Sequence, residues 1–508
     1  MHDRVRAITA ACSTLGERVQ RVAPAPHALL LIAVTGCLAF AAAEPLTQSD
    51  GDLLAHIAVG RILLADPTGV HIPSLGFAPT PSPAVAPAWG AAVIFAWLDA
   101  HGGLAMCAVF TAVLAGITHG VLALWWRARD MSEPLLMAAI SVSVALASSH
   151  WLARPHAFSL LGSALLLVML TRWRWWCAFA VPLLFVVWAN LHGGWLFGWL
   201  VLAAYSFGMC VTWWRSAERR ARTIYRRRAI ILAVVTGLSA LVSLLTPFGI
   251  ALHLAILRTL LSGGVAQAID EYAPPGFSHG GDVLFFVTLL VGAVMVLRRS
   301  RRLPLSWAMV MLLSAVFALK AGRNIALFAV TGWPLMVAQA APRGRARTCP
   351  SRAHTAAPPS VAPGVFWAML LGAVLVNIGA NGGYLFGASL VQGDINPRRF
   401  PIEAVAWLQA HRAGERLLTT WTWSGYVPYA WPGQRSYFDP LSFTDHTMRS
   451  LGTMLLASNG WSRQLDANRI ELVLVPRGEP LADSLRPLVG WVTLHEDRTA
   501  FVFGRVGK

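Results

Sequence analysis

Charge is scarce in this chain. Asp, Glu, Lys and Arg make up only 13% of its 508 residues, whereas 56% are hydrophobic and the mean hydropathy is +0.56. A soluble domain is about 25% charged and about 45 to 50% apolar. The shortfall, with apolar runs of about 15 to 25 residues recurring between charged loops, excludes a water-soluble enzyme, a disordered protein and a fibre. Lysine is nearly missing, at two of the 41 basic residues, Lys320 and Lys508. Cysteine is also sparse. The six cysteines show no CxxC and no Cys/His ligand spacing, which argues against a disulfide framework and a zinc site.

What is present is a series of apolar segments. The expected fold class is a polytopic α-helical membrane protein of eleven transmembrane helices. The spans fall near 27–43, 104–126, 134–151, 156–171, 176–190, 194–214, 229–247, 282–297, 304–320, 324–341 and 364–386. Residues 1–26 form a basic N-terminal segment, and the run after it lacks a convincing cleavage signature, so it reads as a retained helix. From 391 to 508 short strand-like runs at 416–420, 470–475, 491–494 and 500–504 alternate with helical patterns near 401–411, 445–457 and 480–487. This pattern predicts a small α/β domain.

Charge orients the spans. Short cytoplasmic loops collect arginine. If the apolar stretch 86–100 does not cross, one side holds 23 of the 41 basic residues, the opposite loops hold five, and the segment after 390 holds 13. That reading places the N-terminus in the cytoplasm and the first loop, 44–103, outside together with the C-terminal domain. The 86–100 stretch, with Trp89 and Trp97, then lies at the outer interface, where indoles favour the headgroup level. The net charge of +17 is explained by arginine clusters facing anionic lipid, without nucleic acid.

On this topology the unusual polar residues fall at helix ends on the outer face. Asp52 and His56 are four apart, so a helix starting near Asp50 puts both on one face with the carboxylates at its positive end. Either acid fits a general base with His56 beside it, and Ser49 and Asp50 fit equally as helix caps. Arg154 and His156, with His150, sit at a junction of spans, where they bind a ligand or snorkel to headgroups. Asn190 and His192, before Gly193-Gly194, bond a sugar or satisfy their own turn, and Trp188 or Trp195 is a candidate stacking face. Asp270-Glu271-Tyr272 adds charge to another outer loop. Lys320 and Arg323 suit a phosphate or diphosphate headgroup.

These residues carry a resemblance. The acidic first loop with interfacial helices, the many spans and the outer C-terminal domain resemble the GT-C superfamily of membrane glycosyltransferases, which use polyprenyl-phosphate sugars. Asp50-x-Asp52-x3-His56-x3-Gly60-Arg61, Ala153-Arg154-Pro155-His156-x-Phe158-Ser159 and Trp188-Ala-Asn190-Leu-His192-Gly193-Gly194 are similar to motifs of a family of bacterial GT-C-like membrane proteins. The chain departs from that pattern at Ala55, where an aromatic is usual. It departs again at Ser436-Tyr-Phe-Asp439-Pro440, where relatives pair an aspartate with an arginine.

The resemblance implies inverting transfer from a polyprenyl-phosphate-linked sugar at the outer face of the bacterial inner membrane. Asp50 or Asp52 would be the base. His56, His156, Asn190 and His192 would contact substrate, and Arg154, Lys320 and Arg323 would bind phosphate. No cofactor is assigned, since no ligand set is complete around Asp50 and Asp52, and a divalent metal there stays open. Two other classes compete: a transporter or flippase of lipid-linked substrates, and a catalytically silent assembly protein. Polar groups at span ends, not at mid-depth, favour surface chemistry over passage.

Overall fold

The computed structural model describes residues 51–66, 74–79, 85–129, 131, 133–148, 152–261, 270–277, 279–299, 303–341, 378, 384–385, 388–389 and 393–506. The first expected span, the last one (364–386) apart from residues 378, 384 and 385, Asp50, His150 and the basic loop 342–363 lie outside these residues. The first described helix, α1 (Gly51–Ala65), is followed by α2 (Trp89–Arg127). Inside α2 the backbone leaves helical geometry at Gly102 and Gly103, the latter at φ 64°, a left-handed conformation that suits glycine. The break separates Trp89–His101 from the apolar run beyond, so the 86–100 and 104–126 stretches are distinct pieces.

A helical bundle follows: α3 (Glu133–Ser148), α4 (His156–Thr171), α5 (Cys177–Leu191), α6 (Trp195–Arg215), α7 (Arg219–Val242) and α8 (Ile250–Leu261). It continues with α9 (Gly280–Leu297), α10 (Leu305–Lys320), α11 (Ile325–Val330) and α12 (Gly332–Ala340). Among the described residues three helices, α2, α6 and α9, are long and apolar enough to cross a membrane. Four shorter apolar helices accompany them, the Leu135–Ser148 stretch of α3, α4, α5 and α10. The stretch expected as one span at 324–341 is divided at Thr331, whose hydroxyl bonds the Leu327 carbonyl and Ser314 Oγ. The expected outer loop before 282 instead carries a helix, α8.

The C-terminal part is a three-layer unit. A short antiparallel pair, β1 (Tyr384–Leu385) and β2 (Ala388–Ser389), precedes α13 (Ile402–His411), β3 (Leu417–Thr419), α14 (Trp421–Ala430), α15 (Asp445–Leu455) and α16 (Trp461–Ala467). Then come β4 (Leu472–Pro476), α17 (Pro480–Leu485), β5 (Trp491–Glu496) and β6 (Ala500–Arg505). The sheet order is β3-β4-β6-β5, parallel only between β3 and β4. Alternate strand residues point to opposite faces. Leu417, Leu472, Leu474 and Val502 join α13 and α14, while Leu418, Val473, Val475 and Phe503 join α15 to α17.

The layer of α13 and α14 shares its core with α1 and α2. Leu53, Leu54 and Ile57 of α1 and Phe95 of α2 are buried against Val427 and Leu408. α1 is therefore hydrophobic nearly all round, as a helix enclosed on several sides must be. A side chain at Gly60 would overlap the Ala92 carbonyl, so α1 also lies directly on α2.

Candidate functional site

α1 starts at Gly51, so Asp52 occupies its first turn and His56 stands one turn further on the same face. Arg154 precedes Pro155, and a residue before proline is pushed out of helical geometry. α4 accordingly begins at His156, leaving Arg154 in the turn at the mouth of the bundle. Its Nη1 lies 3.3 Å from Asp52 Oδ2 and 3.2 Å from both oxygens of Glu271. The three side chains are 21%, 30% and 32% exposed, so the triad is open to a ligand without being fully solvated.

Glu271 belongs to a 3-10 turn, Asp270–Tyr272. Its neighbour Tyr272 carries the Arg323 guanidinium 4.4 Å above its ring centre. Arg323 sits in a second 3-10 turn, Gly322–Asn324, just after Lys320 closes α10. The two turns are stitched by the Gly322 N–H donating to the Ala273 carbonyl at 2.9 Å. One short segment thus holds both arginines, one by a carboxylate and one by an aromatic face. Neither Lys320 nor Arg323 makes an ion pair among the described residues.

His192 caps the end of α5. Its Nδ1 accepts the Gly194 N–H at 3.1 Å and lies 2.6 Å from Ser159 Oγ. That hydroxyl already accepts Trp188 Nε1–H at 2.8 Å, so it donates to the imidazole. With Nδ1 filled twice as an acceptor, the ring proton is on Nε2. Burial first, then the charges of Arg323 and His56, push the His192 pKa down to about 3. His192 is therefore a neutral Nε2–H donor, within electrostatic reach of both His56 and Arg323.

The structure gathers Asp52, His56, Arg154, His192 and Arg323 at one end of the bundle. His156 opens α4 two residues beyond Arg154, and exposed Lys320 lies three residues before Arg323. Asn190 is engaged elsewhere. Its Oδ1 accepts Trp89 Nε1–H at 2.9 Å, and its Nδ2 donates to Val186 and Leu245 carbonyls at 2.8 and 2.9 Å. These bonds tie the start of α2 to the end of α5. Trp188 is buried between glycines, with Gly162 and Gly198 leaving room for its indole, and Trp195 is buried against His253. Neither offers an open stacking face.

Three groups of the site escaped the sequence reading. Glu271 and Tyr272 were visible only as charge and an aromatic in an outer loop, and pairing across 117 residues leaves no local spacing to detect. Ser159 stood inside the Arg154 string, yet its role depends on a helix-to-helix contact. Arg61, part of the first-loop string, points away from the site. It pairs with buried Asp99 at 2.8 Å, donates to the Tyr429 carbonyl at 2.9 Å and lies over the Tyr429 ring. Among the described residues no three His, Cys, Asp or Glu side chains converge as a metal site, and Arg154 already occupies the space between the two carboxylates.

No family model matches the chain, and no curated protein does. A solved structure does resemble it: the archaeal oligosaccharyltransferase AglB from Archaeoglobus fulgidus, in complex with an inhibitory peptide and a dolichol-phosphate. The TM-score is 0.55 at 10% identity, over 88% of this chain and 69% of that one. So low an identity speaks to fold alone. The shared fold is mostly helical, with apolar helices and a small C-terminal sheet.

Proposed function

We propose that the chain is an integral membrane glycosyltransferase that moves a sugar from a polyprenyl-phosphate donor to an acceptor hydroxyl at the outer face of a bacterial inner membrane. In this reading eleven spans cross, residues 1–26 are cytoplasmic, 27–390 form the membrane domain and 391–508 are extracytoplasmic. The observation that carries it is Arg154 held between Asp52 and Glu271, with His192 and Arg323 close by, at one end of a GT-C-like bundle.

The chemistry follows from the charges. The donor phosphate lies against Arg323, Lys320 and the Nε2–H of His192, and competes with the two carboxylates for Arg154. Asp52 takes the proton of the acceptor hydroxyl, whose oxygen attacks the anomeric carbon from the face opposite the phosphate. The bond from that carbon to the phosphate oxygen breaks, the electron pair leaves with the lipid phosphate, and the configuration inverts. The cationic groups stabilise the charge that develops on the leaving oxygen. A phosphate leaves without a protein acid, so a single carboxylate base suffices. His56, one turn from Asp52, is placed to contact the acceptor or the sugar.

The test is purified protein with its lipid extract analysed by mass spectrometry. A lipid-linked sugar that co-purifies and is consumed, with glycosylated acceptor appearing in step, supports the reading. Movement of intact lipid-linked sugar across vesicles with no bond cleavage would replace it with a flippase.

A further inference from the structure

The opposite end of the bundle holds a second polar constellation that the proposed reaction does not use. α4 is 16 residues long, so its far end is about 24 Å from Arg154. There Arg129 lies 3.9 Å from the Trp125 ring centre and 5.5 Å from that of Trp307. Arg172 Nη2 donates to the Trp125 carbonyl at 3.3 Å, and Trp125 Nε1 donates to Thr171 Oγ1 at 2.7 Å. Arg228 Nη2 donates to the Leu170 carbonyl at 3.3 Å, and its Nε is buried with no partner. Tyr205 lies within the electrostatic reach of both Arg129 and Arg228, and Arg129 within that of Arg172.

Three guanidinium groups thus share one aromatic-walled corner, and among the described residues none of them has an acidic partner. Like charges held together cost free energy unless an anion joins them. Burial first, and then the neighbouring charge of Arg172, lower the Arg129 pKa to about 10. Around this corner the chain exposes Trp175, Trp176 and Trp214 at 78%, 43% and 77%. Indoles so exposed mark the headgroup level of a bilayer.

We propose that Arg129, Arg172 and Arg228 form a binding site for the phosphodiester of an anionic phospholipid, in the leaflet opposite the Asp52 site. The planar guanidinium groups suit phosphate oxygens, the Arg228 Nε supplies a donor with no other use, and the indoles set the depth of the headgroup. A soluble phosphate would meet the same charges but gains nothing from the tryptophan collar. The site depends on the helices lying in a bilayer and is independent of whether the chain transfers sugar.

The full-length protein in detergent is titrated with phosphatidylglycerol, phosphatidylcholine and inorganic phosphate, with bound lipid read by native mass spectrometry. The expected result is one retained phosphatidylglycerol, preferred over phosphatidylcholine, with the preference falling about fivefold for each of R129Q, R172Q and R228Q. R220Q/R222Q, on the exposed start of α7, is expected to keep the preference. Equal binding of both lipids by the wild-type protein, or equal loss in the R220Q/R222Q control, would overturn the site. Binding of inorganic phosphate with the same arginine dependence and no lipid preference would overturn the lipid assignment. Because each substitution is made singly, a variant that fails to fold is recognised by its loss of both lipids and is replaced by the lysine variant at that position, for which partial preference is expected.

Discussion

Gly51 and Gly425 face each other across a helix crossing so close that a side chain at either would run into backbone: the Gly51 carbonyl oxygen for Gly425, the Thr422 carbonyl oxygen for Gly51. The crossing joins α1 to α14, and Asp52 is the next residue along. The aspartate is therefore positioned by the C-terminal unit as much as by the membrane bundle. Gly425→Ala should force α14 off α1, costing about 1 to 3 kcal/mol as overpacking does. Transferase activity should fall with it while donor binding at Arg323 persists. Thermal unfolding and donor titration of the variant check this, and unchanged activity would show that the crossing does not place Asp52.

Removing the proposed base should separate chemistry from binding. Asp52→Asn keeps size but not proton acceptance, and a rate loss on the order of 10² to 10⁴ is expected with donor affinity retained. The Asp50→Asn and double variants complete the comparison. Full transfer activity in all three would remove both acids as candidates.

The two arginines should report on donor affinity. Arg323→Ala is expected to weaken binding of the lipid-phosphate donor by about 1.5 to 3 kcal/mol, the scale of a charge-assisted hydrogen bond. Arg154→Ala should do the same and also leave Asp52 and Glu271 as facing like charges, so the Glu271→Gln change should partly restore it. Isothermal titration with the donor decides, and an Arg154→Ala phenotype untouched by Glu271→Gln would mean the two carboxylates do not share the arginine.

His192 links the site to pH. Its pKa is about 3 in the folded protein against about 6.5 unfolded, so the folded state refuses a proton that the unfolded state accepts. The stability this histidine contributes is complete above about pH 6.5 and is lost as pH falls toward 3, reaching at most about 2 kcal/mol at pH 5. Thermal melts at pH 7.5 and 5 should show a larger acid loss for the wild type than for His192→Gln. Identical losses would place the imidazole proton elsewhere.

Asp439 should hold the first loop. Its carboxylate accepts from Ser74 Oγ at 2.7 Å, the Leu75 N–H at 3.0 Å, and the Leu441 and Ser442 N–H groups at 2.9 and 3.2 Å. Burial raises its pKa while these bonds oppose the rise. Asp439→Ala strands several donors, at about 1 to 3 kcal/mol each when they stay buried. Limited proteolysis should then cut between 66 and 85 sooner than in the wild type, and an unchanged cleavage rate would show that the clamp is dispensable.

The sequence made some of this legible and not the rest, for physical reasons. Apolar runs and strand alternation are local signals, so β3 to β6 and helices α13, α15 and α17 emerged near their observed bounds. α14 did not, because Trp421–Ala430 is aromatic-rich with Pro428 inside, and its helix is sustained by packing on α1 rather than by its own pattern. Asp52, His56, Arg154, His192 and Arg323 stood out as polar residues at helix ends, where burial is costly. Glu271 and Ser159 did not, since an outer-loop acid and a helical serine are ordinary until the fold sets an arginine and an imidazole beside them.

The meeting of the first loop with the last domain also fixes an order of assembly. Segment 74–78 pairs alongside Ser436, which in turn pairs with β3, so chain made at the start completes the edge of a sheet made at the end. During synthesis the ribosome releases α1 more than 350 residues before α14 exists to receive it. Until then the largely apolar α1 has α2 to lie against but not α14. The nascent protein must therefore carry an unfinished Asp52 end through nearly all of its insertion, and a chain shortened before residue 420 would keep its bundle but never close its site.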